Sequence, residues 1–141
     1  MGKISVVYWS QSGNTLAMAE AIGKGITDGG AQAEVVNVSS CQVSDLDSEE
    51  VFALGCPAMG AEVLEESEME PFVAELEGNV KGKKIALFGS YGWGDGQWMR
   101  DWEKDCDDAG IQLVCESVIC CETPDDAVLE ACRAMGKVLA E

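Results

Sequence analysis

The sequence contains no histidine. That absence removes the commonest general base and metal ligand and excludes a Ser-His or Cys-His nucleophile. Positive charge is scarce as well: 9 basic residues stand against 26 acidic ones, for a formal net charge of −17. Phosphate-backbone binding relies on clustered lysine and arginine, so nucleic acid is not an expected partner. Although 47% of the 141 residues are hydrophobic, no apolar run approaches membrane-spanning length. Met1-Gly2-Lys3 leads directly into a strand-like segment without signal-peptide architecture, and Val6 stands where a myristoylation signal wants Ser or Thr. A cytoplasmic protein without membrane association is therefore expected. The seven cysteines include no Cys-x-x-Cys pair. Cys106, Cys115, Cys120 and Cys132 lie in apolar segments and read as reduced packing residues, and no metal site is expected. Glu62, Glu65, Glu66, Glu68 and Glu70 read as a solvated acidic face around a helix start, not as a cation site.

What is present alternates strand and helix from end to end. Lys3 to Trp9 is apolar and β-branched enough for the interior of a parallel sheet, and helical spacing follows in Ala19, Ile22 and Ile26. Gly29-Gly30 closes that helix. Ala33 to Val38 and Val51 to Gly55 read as strands two and three, Lys84 to Gly89 as strand four, and Gln112 to Ile119, extending toward Cys121, as strand five. Met69, Phe72, Val73 and Leu76 mark one intervening helix, with Pro71 tolerable in its first turn. Trp98, Met99, Trp102 and Cys106 mark the inner side of the next. Thr123-Pro124-Asp125-Asp126 predicts the start of the last helix, with Thr123 as N-cap and Pro124 at the first position. Its predicted inner face is Val128, Ala131, Cys132, Met135 and Leu139. Strand–helix units joined by short right-handed crossovers make an α/β doubly wound five-stranded parallel sheet in three α/β/α layers. Without linker, repeat or low-complexity tract, residues 1–141 read as a single domain.

Ligands of such sheets sit at the carboxyl ends of the strands, and three strand ends here are unusual. The first is Tyr8-Trp9-Ser10-Gln11-Ser12-Gly13-Asn14-Thr15, a hydroxyl-rich turn entering a helix. Unpaired N–H groups, the positive end of the helix dipole and the hydroxyls of Ser10, Ser12 and Thr15 suit a phosphate there without any cation. A plain hydroxyl N-cap is the competing reading. The chain has neither a nucleotide loop ending in Gly-Lys-Ser/Thr nor a Gly-x-Gly-x-x-Gly. The third strand ends in Gly55-Cys56-Pro57-Ala58-Met59-Gly60-Ala61-Glu62, and the fourth in Gly89-Ser90-Tyr91-Gly92-Trp93-Gly94-Asp95-Gly96. These two loops read as walls of a flat slot, because a tryptophan set among glycines in a surface loop is costly to expose unless a ligand covers it.

Taken together the three loops resemble those of the flavodoxins, specifically the short-chain clostridial type that binds flavin mononucleotide (FMN), over nearly the whole chain. Ser10-x-Ser12-Gly13-Asn14-Thr15 is similar to the family's phosphate loop, Met59-Gly60-x-Glu62 to its loop over one flavin face, and Ser90 to Gly96 to its loop over the other. The resemblance implies the strand order 2-1-3-4-5. It also implies that Ser10, Gln11, Ser12, Gly13, Asn14 and Thr15 hold the phosphate, and that Ala58, Met59, Gly60, Glu62, Ser90, Tyr91, Gly92, Trp93 and Gly94 line the ring site. Within that set Trp93 stacks on the outer face, Met59 packs on the inner face, Gly60 offers its carbonyl to flavin N5, and Glu62 accepts from N3–H. Trp9 and Trp98 border the phosphate and ribityl region. Ala61 and Pro57 depart from the family pattern, and the loop near Cys121 and Glu122 carries no family signature.

The function so implied is a low-potential shuttle passing single electrons between redox enzymes through bound FMN, on its semiquinone/hydroquinone couple. The cofactor performs the redox step while the protein sets its potentials. An anionic reduced ring inside a protein of charge −17 disfavours the last reduction. The expected partners are basic docking surfaces of redox enzymes, met transiently and with strong salt dependence, by a monomer. No catalytic side chain is identified, so an enzyme is not expected. The alternative is a flavodoxin-like FMN-dependent NAD(P)H or quinone reductase. A phosphoacceptor receiver domain would need acidic residues after strands one and three, where Trp9-Ser10 and Gly55-Cys56 stand. A low-molecular-weight phosphatase would need a Cys-x5-Arg loop.

Overall fold

The computed structural model describes residues 3–10, 13–46, 49–58, 68–77, 83–92 and 96–141. Strands β1 (Lys3–Tyr8), β2 (Gln32–Asn37), β3 (Val51–Gly55), β4 (Lys84–Tyr91), β5 (Gln112–Leu113) and β6 (Val118–Cys121) alternate with helices α1 (Asn14–Asp28), α2 (Met69–Glu77), α3 (Gln97–Asp108) and α4 (Asp126–Leu139). The ladders are parallel in the order β2-β1-β3-β4-β5, with β6 pairing β4 beyond β5. The predicted order 2-1-3-4-5 and the layered α/β/α architecture are thus present. The fifth position is filled by two short segments instead of one strand, because the chain bends at Val114–Cys115 between them.

Side chains of the central strands alternate between two cores, as a period of two requires. Val7, Phe52, Leu54, Ile85 and Leu87 face one core with Phe72, Val73 and Leu76 of α2 and Trp98, Met99, Trp102 and Cys106 of α3. Ile4, Val6, Ala53, Ala86 and Phe88 face the other with Met18, Ala19, Ile22 and Ile26 of α1 and Cys132, Met135 and Leu139 of α4. Both faces of β1, β3 and β4 are therefore covered, which explains why these strands are largely apolar on both sides.

Helix ends follow backbone chemistry. Gly30 takes φ +96°, and Ala31 N–H and Gly30 N–H donate to the Ile26 and Thr27 carbonyls, closing α1 in a Schellman turn. Gly110, at φ +81°, closes α3 in the same way. Four sequence expectations shift. Trp9 lies beyond the end of β1, and Val38 opens a 3₁₀ turn (Val38–Ser40), not the end of β2. The N-cap of α4 is Asp125, whose Oδ1 accepts the Val128 N–H at 2.9 Å, and Pro124 precedes it. A carboxylate at the cap outdoes Thr123 because it both accepts the N–H and meets the positive dipole end. Ala131 of α4 is exposed, since the helix turns its Cys132–Met135–Leu139 stripe inward. Among the described residues no helix is long and apolar enough to cross a membrane.

Candidate functional site

The carboxyl end of β1 is extended by one hydrogen bond, Trp9 N–H to the Gly55 carbonyl at 3.0 Å. The chain then folds over the start of α1. Ser10 Oγ accepts the Gly13 N–H at 3.1 Å and the Leu16 N–H at 3.4 Å, so its own proton remains to donate elsewhere. Gly13, the N-cap, sits at φ +93° with nothing among the described residues within 4 Å of the position a Cβ would take, and the first-turn N–H of Leu16 is met by Ser10 Oγ instead. The helix start is open, its first N–H groups lack intrahelical acceptors, and its first turn has no acidic residue in a chain that carries 26 of them. Thr15, 1% exposed, points inward, with its hydroxyl 3.0 Å from that of Ser90 at the end of β4. Hydroxyl donors, a dipole end and room at a left-handed glycine fit a phosphate dianion.

The ends of β3 and β4 are fastened side by side. Cys56 N–H donates to the Phe88 carbonyl at 3.2 Å, and Ala58 N–H donates to that of Ser90 at 2.9 Å. A Cβ at Gly89 would overlap the Cys56 carbonyl, so only glycine permits this approach. Trp98 reaches the same carbonyl from below, its indole N–H donating at 3.1 Å. The Tyr91 ring leans on Trp98, with centroids 5.5 Å apart and planes tilted by 50°. Trp98 is only 2% exposed. It underpins both loops instead of opening onto the slot.

Of the sequence-predicted site residues, the structure brings Ser10, Gly13, Asn14, Thr15, Ala58, Ser90, Tyr91 and Gly92 to the same strand-end face of the sheet. Gln11, Ser12, Met59, Gly60, Glu62, Trp93 and Gly94 lie outside the described residues, as does Ala61. Trp9 is half-buried beside the turn after β1, and its indole N–H donates to Glu68 Oε1 at 3.2 Å. Sequence reasoning did not find the Cys56–Trp98 bond, the Thr15–Ser90 contact, or the hydrogen bond by which the Glu122 N–H holds the Tyr91 carbonyl at 2.7 Å. Only the fold juxtaposes them. Burial pushes the nearby Cys120 thiol up to about 11, with Cys121 and Asp125 adding to it.

A parallel sheet of this order, with a glycine-capped helix start after its first strand and the ends of its third and fourth strands hydrogen-bonded together, defines the class: a doubly wound α/β protein whose ligand edge is the carboxyl end of its strands. A sequence model of the flavodoxin family matches residues 6–136. The chain is 48% identical over 137 residues to the flavodoxin of Clostridium beijerinckii, covering 97% of this chain and 99% of that one. It is 43% identical over 138 residues to the flavodoxin of Megasphaera elsdenii, covering 98% of each. The solution structure of two-electron reduced Megasphaera elsdenii flavodoxin superposes with a TM-score of 0.88 at 44% identity, over 99% of this chain and 98% of that one. The chain belongs to the flavodoxin family, as a small FMN-binding electron-transfer protein.

Proposed function

We propose that the protein is a cytoplasmic, monomeric, single-domain carrier of single electrons at low potential, acting on redox proteins with basic docking patches and performing no catalysis of its own. The observation that carries the site assignment is the open start of α1 joined to the end of β4 through Thr15 and Ser90. The flavin, when bound, supplies the one-electron chemistry. Ser10, Gln11, Ser12, Gly13, Asn14 and Thr15 hold its phosphate through hydroxyls and N–H groups. Ala58, Met59, Gly60 and Glu62 form one wall, and Ser90, Tyr91, Gly92, Trp93 and Gly94 the other. Trp93 and Met59 exclude water from the ring faces. With the flavin bound, the Gly60 carbonyl would accept a hydrogen bond from a protonated N5, and the Glu62 carboxylate one from N3–H. The charge of −17 opposes each added negative charge on the ring, which drives the second electron to lower potential. It also steers the protein toward cationic partners.

Since the cradle contains no cation, its affinity comes from the phosphate dianion meeting aligned donors. FMN should bind far more tightly than riboflavin, as measured by fluorescence titration of the apoprotein. Equal affinity would remove the phosphate assignment. Flavin-dependent NADH turnover by the isolated protein would favour the reductase reading instead.

A further inference from the structure

Strand β6 forms an edge of the sheet, pairing with β4 on one side and with no strand on the other among the described residues. The Glu122 N–H donates to the Tyr91 carbonyl, and Glu122 then turns the chain out of the ladder at φ +63°. Backbone groups alternate sides along a strand, so those of Val118 and Cys120 face β4 while those of Ile119 and Cys121 face outward. Such a row of N–H and C=O groups is a template for one more strand. Beside this edge α4 leaves an open groove of about 390 Å³, lined by Val118, Ile119, Ala127, Val128 and Ala131 together with Glu116. Ile119 is 36% exposed, and Ala127 and Ala131 are exposed as well.

Charge decides what fits there. Among the described residues no lysine or arginine lines the groove, while Glu116 does, and the exposed Asp126 and Glu130 stand one residue before Ala127 and Ala131 on α4. A second copy of this chain would set two such acidic edges together, each on a protein of charge −17, and like charges across an interface are strongly disfavoured. An extended segment in which apolar residues alternate with lysine or arginine meets the unpaired backbone, the apolar lining and the acidic border at once. We infer that the β6 edge and the α4 groove receive such a strand from a basic partner protein, by strand addition. Since Cys121 of β6 pairs with Tyr91 at the carboxyl edge of the sheet, the added strand brings the partner up to the ligand face. The inference rests on the reading of the protein as a carrier for basic partners, and goes beyond it by assigning the place and the mode of docking.

The test is an NMR titration of the isotope-labelled, FMN-loaded protein with an acetylated and amidated Lys-Val-Lys-Val-Lys peptide. Two comparison peptides separate the contributions: Val-Lys-Lys-Lys-Val keeps the charge without the alternation, and a form N-methylated at alternate peptide bonds keeps the side chains without the ladder donors. The alternating peptide should shift the amides of Ile119 and Cys121 most, and should bind about tenfold more tightly than either comparison peptide. Ala131→Lys, which sets a like charge in the groove, should weaken it about tenfold. Ala134→Lys makes the same charge change at an exposed position of α4 outside the groove, and should change affinity by less than about twofold. Lysine suits a helix nearly as well as alanine; should Ala131→Lys not fold, Ala127→Lys takes its place. Shifts spread over the acidic surface, with no preference among the peptides, overturn the inference and leave the reading of basic partners standing. Absence of binding by every cationic peptide at low salt overturns that reading, and the inference with it. A dimer in sedimentation, with concentration-dependent shifts at Ile119 and Cys121 before any peptide is added, gives the edge to a second copy and overturns the inference alone.

Discussion

The hydroxyl of Thr15 lies 3.0 Å from that of Ser90, and both residues are buried, at 1% and 4% exposure. This pair links the start of α1, which we propose faces the phosphate, to the end of β4. Removing one partner leaves the other hydroxyl buried and unsatisfied, which costs about 1–3 kcal/mol. Ser90→Ala and Thr15→Val should each destabilise the apoprotein on that scale. The double variant should fall short of their sum by about 0.5–3 kcal/mol, because the second change removes a group already orphaned. Urea unfolding of the four proteins measures the cycle, and strict additivity would show that the hydroxyls do not interact.

Two tryptophans on α3 give an internal comparison. Trp98 and Trp102 are 2% and 1% exposed, but the Trp98 indole N–H donates to the Cys56 carbonyl while the buried Trp102 Nε1 has no hydrogen-bond partner among the described residues. Substitution by phenylalanine removes similar area at both sites. At position 98 it also removes the hydrogen bond to the Cys56 carbonyl, and at 102 it removes a buried N–H that makes none among the described residues. Trp98→Phe should therefore cost more stability than Trp102→Phe by about 1–3 kcal/mol. Equal losses in denaturant unfolding would mean that Trp102 finds a hidden partner such as water.

The architecture was legible because the central strands are apolar on both faces and the helices carry clear inward stripes. The reading lost accuracy where tertiary contacts decide. Residues 112 to 121 contain an apolar strand pattern, yet the chain bends at Val114–Cys115 and only short segments reach β4. Glu49 gave no sequence signal at all, although it is 5% exposed and accepts both the Ser5 N–H and the Ser5 hydroxyl at 2.7 Å. The β1–β3 ladder begins only at Val6 with Ala53, so the carboxylate fills the place of a missing strand neighbour. At the site, the turn after β1 could be read from its hydroxyls and glycine. The positive φ of Glu122 could not, since nothing in a glutamate announces it.

Burial raises the Cys132 thiol from 9.0 to about 12 and the Cys120 thiol to about 11. Below pH 9 both states keep these protons and the thiols make no difference. Above it the unfolded chain releases them while the folded one does not, so stability falls as pH rises through the window from about 9 to about 12. The slope is at most about 1.4 kcal/mol per pH unit for each thiol. Cys132→Ala should flatten that fall, at the price of a small cavity. Unfolding free energies at pH 8 and pH 10 for both proteins measure it, and an identical decline would place the thiol's ionisation elsewhere. Under native conditions an alkylating reagent should reach the exposed Cys121 well before Cys132.

The two helices covering one face of the sheet meet at a pair of glycines. A Cβ on Gly136 of α4 would overlap the Ile22 carbonyl of α1, and one on Gly25 of α1 would overlap the Arg133 carbonyl of α4. Two effects compete when alanine is introduced. Helix propensity favours alanine by about 1 kcal/mol. Overpacking against a rigid backbone oxygen costs about 1–3 kcal/mol, and here the carbonyl cannot rotate away as a side chain would. The steric term should win, so Gly136→Ala and Gly25→Ala should each lower stability. Their double variant should lose less than the sum, because both push the same helices apart. Gly23→Ala is the control on the same helix: its Cβ meets a methyl of the Val35 side chain, which is 36% exposed and can shift toward solvent as a backbone carbonyl cannot. That variant should be neutral or more stable. Thermal unfolding of the three single variants decides the matter, and a stabilised Gly136→Ala protein would show that α1 and α4 do not approach as closely as the glycines allow.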